Sequence, residues 1–170
     1  MWRLAIILLL YALDQVTKWW VISNIPLGGS IVVIPGLFTL VHTYNTGMAF
    51  GLFGGNNGFF IVFASLALGV LAWFYRKPKY RAGWLGLGLT VLMPGIMGNL
   101  TDRIIHGHVI DFLSVHYQTW AWPSFNVADS CICISVVLMF IAHFRGELDE
   151  PVQNRAPKNE APLKQEPGDS

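Results

Sequence analysis

The chain predicts an integral membrane α-helical protein, a four-transmembrane-helix bundle with a small extracytoplasmic β-sheet. Three observations lead there. Of 170 residues, 54% are hydrophobic and only 12% charged, about half the roughly 25% charged residues typical of a soluble domain. No Asp, Glu, Lys or Arg occurs between Lys18 and Arg76. Four apolar stretches approach the ~20 residues that a helix needs to cross a bilayer, and two of the connections between them are β-branched and aromatic instead. This excludes a set of soluble domains. The net charge of +1 offers no basic footprint, so no nucleic-acid partner is expected.

The first span is expected over 2–22. Arg3 followed by an apolar run has the look of a secretory signal, but Asp14-Gln15-Val16-Thr17-Lys18 stands where a small-residue cleavage site would be, so the segment reads as a retained helix. The second span, 58–75, carries no charge. The third, 82–101, is rich in glycine, at 83, 86, 88, 95 and 98, which permits close helix or lipid approach. The fourth covers 126–144. Residues 1–145 thus form one membrane domain. The remainder, 146–170, has prolines at 151, 157 and 162 and few apolar residues, and is expected to be a disordered cytoplasmic tail.

Basic residues orient the bundle. Arg76, Lys77, Lys79 and Arg81 crowd the loop between spans two and three, Arg3 precedes span one and Arg145 follows span four. The positive-inside rule then makes both termini and that loop cytoplasmic. The long connections lie outside. One of them, 30–50, contains the Pro35-Gly36 turn signal, and 109–115 has strand character, so together they predict a sheet resting at the interface. Trp19, Trp20, Trp120 and Trp122 suit an aromatic belt on that side.

The chemistry concentrates there. Asp111 sits among Val109, Ile110, Phe112 and Leu113, where desolvation should raise its pKa. Asp129 follows Asn126 by three residues, a spacing in which Asn126 caps span four and Asp129 falls at N3, in the positive end of the helix dipole. Asp129 can therefore be a capping residue alone, or one of two carboxylates, 18 positions apart, that activate water and donate a proton between them. The residues do not decide which acid does which. Asn99 and Arg103 share a helix face at i, i+4 and are candidates to line a site; Asp102 is expected to pair with Arg103 as an interface anchor. Asp14 and Lys18, also i, i+4, either neutralise each other or serve the sheet or cavity. Asn45-Thr46-Gly47 joins an amide to a glycine that lets backbone approach closely. His106, His108 and His116 flank Asp111 but lack metal-ligand spacing, so no metal is expected. Cys131 and Cys133, two apart, point in different directions on a helix and read as packing residues.

Together these pieces resemble bacterial lipoprotein signal peptidase (signal peptidase II). Asp14-Gln15-Val16-Thr17-Lys18, Asn45-Thr46-Gly47-Met48-Ala49-Phe50, Gly98-Asn99-Leu100-Thr101-Asp102-Arg103, Val109-Ile110-Asp111-Phe112 and Phe125-Asn126-Val127-Ala128-Asp129-Ser130 are similar to that family's successive motifs, in order, from about residue 2 to 144. The resemblance implies an aspartic endopeptidase of the bacterial inner membrane that needs no cofactor. It would cut diacylglyceryl-modified prolipoproteins before the lipidated cysteine. It also implies that Asp111 and Asp129 are catalytic, that Asp14, Lys18, Asn45, Gly47, Asn99, Arg103 and Asn126 bind substrate or support the site, and that a monomer among membrane lipids is inhibited by globomycin-type cyclic peptides. Met93-Pro94-Gly95 departs from the small residues usual there, and the charged tail is long. A proton- or cation-coupled transporter using the same carboxylates is the rival class. Against it, the acids cluster on one side and span two offers no polar path inward.

Overall fold

The structure, a computed structural model, describes residues 2–47 and 56–147. The segment 48–55, with Met48, Ala49 and Phe50 of one motif, lies outside the described residues, as does the tail from 148 on.

Among the described residues four helices are long and apolar enough to cross a membrane: α1 (Trp2–Asn24), α2 (Asn57–Tyr75), α3 (Gly83–His106) and α4 (Val127–Phe144). A short 3-10 helix, Pro78–Arg81, links α2 to α3. Helix α2 begins where the Asn56 side chain accepts from the Phe59 N–H at 3.1 Å. It has no buried residue and turns Val62, Phe63, Leu66 and Val70 outward, which is stable only with lipid as the solvent.

Helix α3 is the hub and packs on the other three. Its glycines explain how. A Cβ at Gly95 would stand 2.7 Å from the Ala128 carbonyl oxygen, and one at Gly98 would run into the Asp14 carboxylate. Small residues let backbones approach where the hydrophobic effect supplies no force between helices. The helix runs five residues past the expected end at 101. It stops at Gly107, whose φ of 80° and N–H to the Arg103 carbonyl form a left-handed cap. Asn99 and Arg103 are therefore both fully helical.

The sheet is antiparallel in the order β1-β2-β3-β4, with β1 Ser30–Ile34, β2 Phe38–Asn45, β3 Val109–Tyr117 and β4 Trp120–Ala121. Pro35-Gly36 makes the first turn, with Gly36 at φ 72°. The β2–β3 register sets Thr43 opposite Asp111 and Asn45 opposite Val109. Strand β1 is exposed along its length yet reads Ser-Ile-Val-Val-Ile, a composition suited to an interface rather than to water. Val21 of α1 and Ile25, the residue just past its end, pack with Phe112 of β3 and lock the sheet to the bundle. Each such burial is worth about 1.5–3 kcal/mol where the alternative is water. At the other end Leu85, Leu89 and Ala142 form a second cluster. There the Glu147 carboxylate, just past α4, accepts from the N–H groups of Trp84 and Leu85 at 3.2 and 3.1 Å.

Candidate active site

Strand β3 is buried on both faces from Val109 to Phe112, and Asp111, 2% exposed, projects from the face opposite Phe112. Its two oxygens accept one amide each: Oδ1 from Asn126 Nδ2 at 2.9 Å and Oδ2 from Asn45 Nδ2 at 3.0 Å. Asn45 is itself held by the Gly47 N–H at 2.9 Å. Gly47 has φ 93°, and a Cβ there would meet the Phe60 ring, so both backbone and space require glycine.

Asp129 stands in the first turn of α4 in a complete capping box. Asn126 Oδ1 accepts the Asp129 N–H at 2.9 Å, and Asp129 Oδ2 accepts the Asn126 N–H at 3.2 Å. The remaining oxygen, Oδ1, accepts Asn99 Nδ2 at 2.7 Å. The capping bond fixes which way the Asn126 amide points. Its Nδ2 therefore faces Asp111 Oδ1, the Ile110 carbonyl at 3.2 Å and Asn99 Oδ1 at 3.2 Å. Asn126 is fully buried and bonds directly to both carboxylates. The capping and site readings of this motif are one geometry.

The Asp111 carboxyl is pushed up to about 7, first by burial and then by the charge of Asp129. The bonds from Asn45 and Asn126 pull the other way and are outweighed.

Beneath the pair lies a buried ion cluster. Lys18 Nζ meets Asp14 Oδ2 at 2.9 Å, Asp102 Oδ2 at 2.8 Å and Asn99 Oδ1 at 3.3 Å, three partners for its three donors. Each anion also holds a backbone amide beside one of the acids. Asp14 Oδ1 accepts the Ala128 N–H at 2.8 Å, next to Asp129, and Asp102 Oδ2 accepts the Ile110 N–H at 3.1 Å, next to Asp111. Gln15 spans the two, donating to Asp14 at 3.0 Å and to Asp102 at 3.3 Å.

Two expectations change here. Asp102 does not pair with Arg103; it points into the bundle and is 2% exposed. Adjacent helical residues do not share a face, so with Arg103 on the groove side Asp102 faces Lys18. Asp14 and Lys18 do neutralise each other, but Asp14 reaches the first turn of α4 rather than the sheet. Gln15, quoted within its motif but given no role in the sequence, is a missed member. Its position one residue after Asp14 carries no spacing signal.

Arg103 occupies the other side of Asn99. Its guanidinium lies 4.9 Å from the Phe60 ring centroid and gives one bond, to the Asn99 carbonyl at 3.4 Å. Between described residues it makes no ion pair. It borders a cavity of about 250 Å³ with walls of Phe60, Phe63, Ala67 and Ile96 and with Asn99 as its other polar lining. An apolar chamber with a few convergent polar groups is the usual form of a ligand site.

The histidines stand apart. His108 lies 3.6 Å from the Tyr44 ring and 6.0 Å from His106, centroid to centroid. Burial and His106 hold its imidazole below the ordinary value. His116 meets Ser114 Oγ at 3.2 Å. Among the described residues no three His, Cys, Asp or Glu are grouped to hold a metal ion. Cys131 is free and buried, Cys133 free and exposed.

Residues 6–145 match the family model described as signal peptidase (SPase) II. A lipoprotein signal peptidase of Symbiobacterium thermophilum is 40% identical over 140 residues, covering 81% of this chain and 92% of the relative. One from Pseudomonas aeruginosa is 36% identical over 147 residues, covering 84% and 87%. Among solved structures, a bacterial membrane enzyme determined by the in meso method at 2.3 Å resolution superposes with a TM-score of 0.77 at 29% identity, covering 88% of this chain and 92% of that one.

Proposed function

The chain belongs to the signal peptidase II family, and from that premise we propose that this multi-pass bacterial membrane aspartic peptidase uses Asp111 and Asp129 as its catalytic pair on lipoprotein precursors. The observation that carries the assignment is Asn126, bonded to both carboxylates at once. Asp129, in the positive end of the α4 dipole and accepting two N–H donors, is the carboxylate that takes a proton from water. Asp111, its carboxyl raised to about 7, holds a proton up to that pH and passes it to the carbonyl oxygen as the tetrahedral adduct forms. Asp129 then gives the proton it took to the leaving amine as the C–N bond breaks, and Asp111 recovers its own from the adduct's hydroxyl as the carbonyl re-forms. Asn45 and Asn126 orient Asp111, Asn99 orients Asp129, and Asp14 and Lys18 act by positioning. Arg103 faces the substrate from the groove and offers donors to its carbonyl groups.

The bond cut is the one before a cysteine carrying diacylglycerol. Two acyl chains contribute about 0.8 kcal/mol per buried CH₂ to membrane partition, which confines the cysteine to the interface. Diacylglyceryl-modified precursors are therefore the substrates and membrane lipids the surroundings. Globomycin-type cyclic peptides are expected inhibitors and a monomer the working unit. The test compares one precursor before and after diacylglyceryl transfer in the same bilayer. The modified form is expected to be cut at least about tenfold faster, as a binding difference of ~1.4 kcal/mol would give. Equal rates would mean that the lipid is not read.

The same reading sets both termini and the 76–81 loop in the cytoplasm and the pair outside. A reporter active only in the periplasm should be silent when fused after Arg145. It should be active when inserted at Gly36, an open turn with no atom within 4 Å of an added Cβ. The reverse pattern would overturn the orientation.

A further inference from the structure

We propose that the end of the bundle opposite the carboxylates binds the headgroup of an anionic phospholipid, with the Arg3 guanidinium as its central donor. Among the described residues six cations gather at that end: Arg3, Arg76, Lys77, Lys79, Arg81 and Arg145. The carboxylate found there among the described residues is Glu147, already bonded to the N–H groups of Trp84 and Leu85. Between described residues neither Arg3, Arg81 nor Arg145 makes an ion pair.

Arg3 differs from the rest in being half-buried between helices. A Cβ at Gly86 would run into the Arg81 backbone carbonyl and would stand 2.6 Å from Arg3 Nη1, so Gly86 lets the Arg81 backbone close over α3 and leaves room beside it for the guanidinium. The same nitrogen donates to Thr90 Oγ1 at 3.4 Å. Thr90 is engaged in turn by the Gly86 carbonyl at 2.6 Å and the Tyr75 hydroxyl at 3.1 Å. One of five guanidinium donors thus meets a protein acceptor among the described residues, at the long end of hydrogen-bond range. A charge taken out of water this far calls for an anion, and a planar fork suits a phosphodiester.

Depth points to a lipid as the source. Trp2, Trp73 and Trp84 are all exposed at this end, as an interfacial aromatic belt requires. Arg3 lies 4.7 Å from the Trp2 ring and Lys77 3.7 Å from that of Trp73, so both cations are at headgroup level. Exposed Leu4 continues the surface apolarly toward the hydrocarbon, where acyl chains would lie.

The test uses the full chain, with native mass spectrometry of lipid retained from micelles containing equal phosphatidylglycerol and phosphatidylcholine. Phosphatidylglycerol should be retained preferentially. Arg3→Gln should lower that retention roughly five- to tenfold, and Arg145→Gln only about twofold, since a rim charge contributes through the general field. Arg3→Lys, which keeps the charge but not the fork, should fall between native and Arg3→Gln. Added inorganic phosphate should not displace the lipid. Equal retention of the two lipids, native-like retention by Arg3→Gln and Arg3→Lys, or displacement by phosphate would each overturn the proposal; the last would indicate a soluble-anion site.

Discussion

Asp111→Asn is expected to remove turnover while leaving a folded, membrane-inserted protein. Asparagine keeps the shape and can accept the Asn126 amide with its oxygen; its own amide then faces Asn45 Nδ2 and loses that one bond, while the backbone ladder that sets the β2–β3 register is untouched. The ability to deliver a proton is lost. A general acid is typically worth ~10²–10⁴ in rate, and more when it acts as a unit with its partner. The native pH profile should carry the same signature. A carboxyl held at about 7 stays protonated through slightly acidic pH, so the rate should fall as pH rises through that value. The sign for stability is related. A carboxyl whose pKa is raised on folding favours the fold below its unfolded pKa, near 3.8, and that contribution is lost as pH rises toward 7. Asp111→Asn should flatten both dependences. A variant that retains the native alkaline limb would locate the proton donor elsewhere.

Lys18→Met should be the most damaging single change to the fold among the site residues. Lys18 is the counter-charge of two buried acids, each 2% exposed or less. Methionine fills the stem's volume but leaves Asp14 and Asp102 buried without a cation. Breaking a buried ion pair from one side costs about 3–5 kcal/mol. Asp14 and Asp102 also hold the amides of Ala128 and Ile110, so the loss should reach both catalytic acids. Thermal unfolding in detergent measures it. The triple change Asp14→Asn, Lys18→Met, Asp102→Asn should recover a large part of the loss, because no buried charge remains. A Lys18→Met protein as stable as the native one would show that the cluster holds nothing in place.

The four spans were legible because their signal is local: hydropathy over about 20 residues does not depend on where a helix packs. The capping box was legible for the same reason, since Asn126 and Asp129 fix each other within one turn. What spacing could not supply was the partner of a residue from another element. Asn99 to Asp129, Asn45 to Asp111 and Asp14 to Ala128 are set by how α3 lies between α1 and α4 and by the β2–β3 register, not by any pattern along the chain. Asp102 was misassigned because Arg103 is its obvious neighbour in sequence and Lys18, 84 positions away, is its neighbour in space. The end of α3 was misplaced for a simpler reason. Hydropathy weakens at Thr101-Asp102-Arg103, while the true stop is the cap at Gly107, which is a backbone signal.

The pairing of Asp111 with Asp129 is tested most directly by cleavage of one purified diacylglyceryl-modified precursor by four proteins: native, Asp111→Asn, Asp129→Asn and the double variant, with the mass of the product read in each case. The native chain should release a product beginning at the lipidated cysteine. Because the two acids work on one water and one carbonyl, each single variant should be nearly as inactive as the double. A single variant that cuts at close to the native rate, or a native product that begins at any other residue, would contradict the assignment.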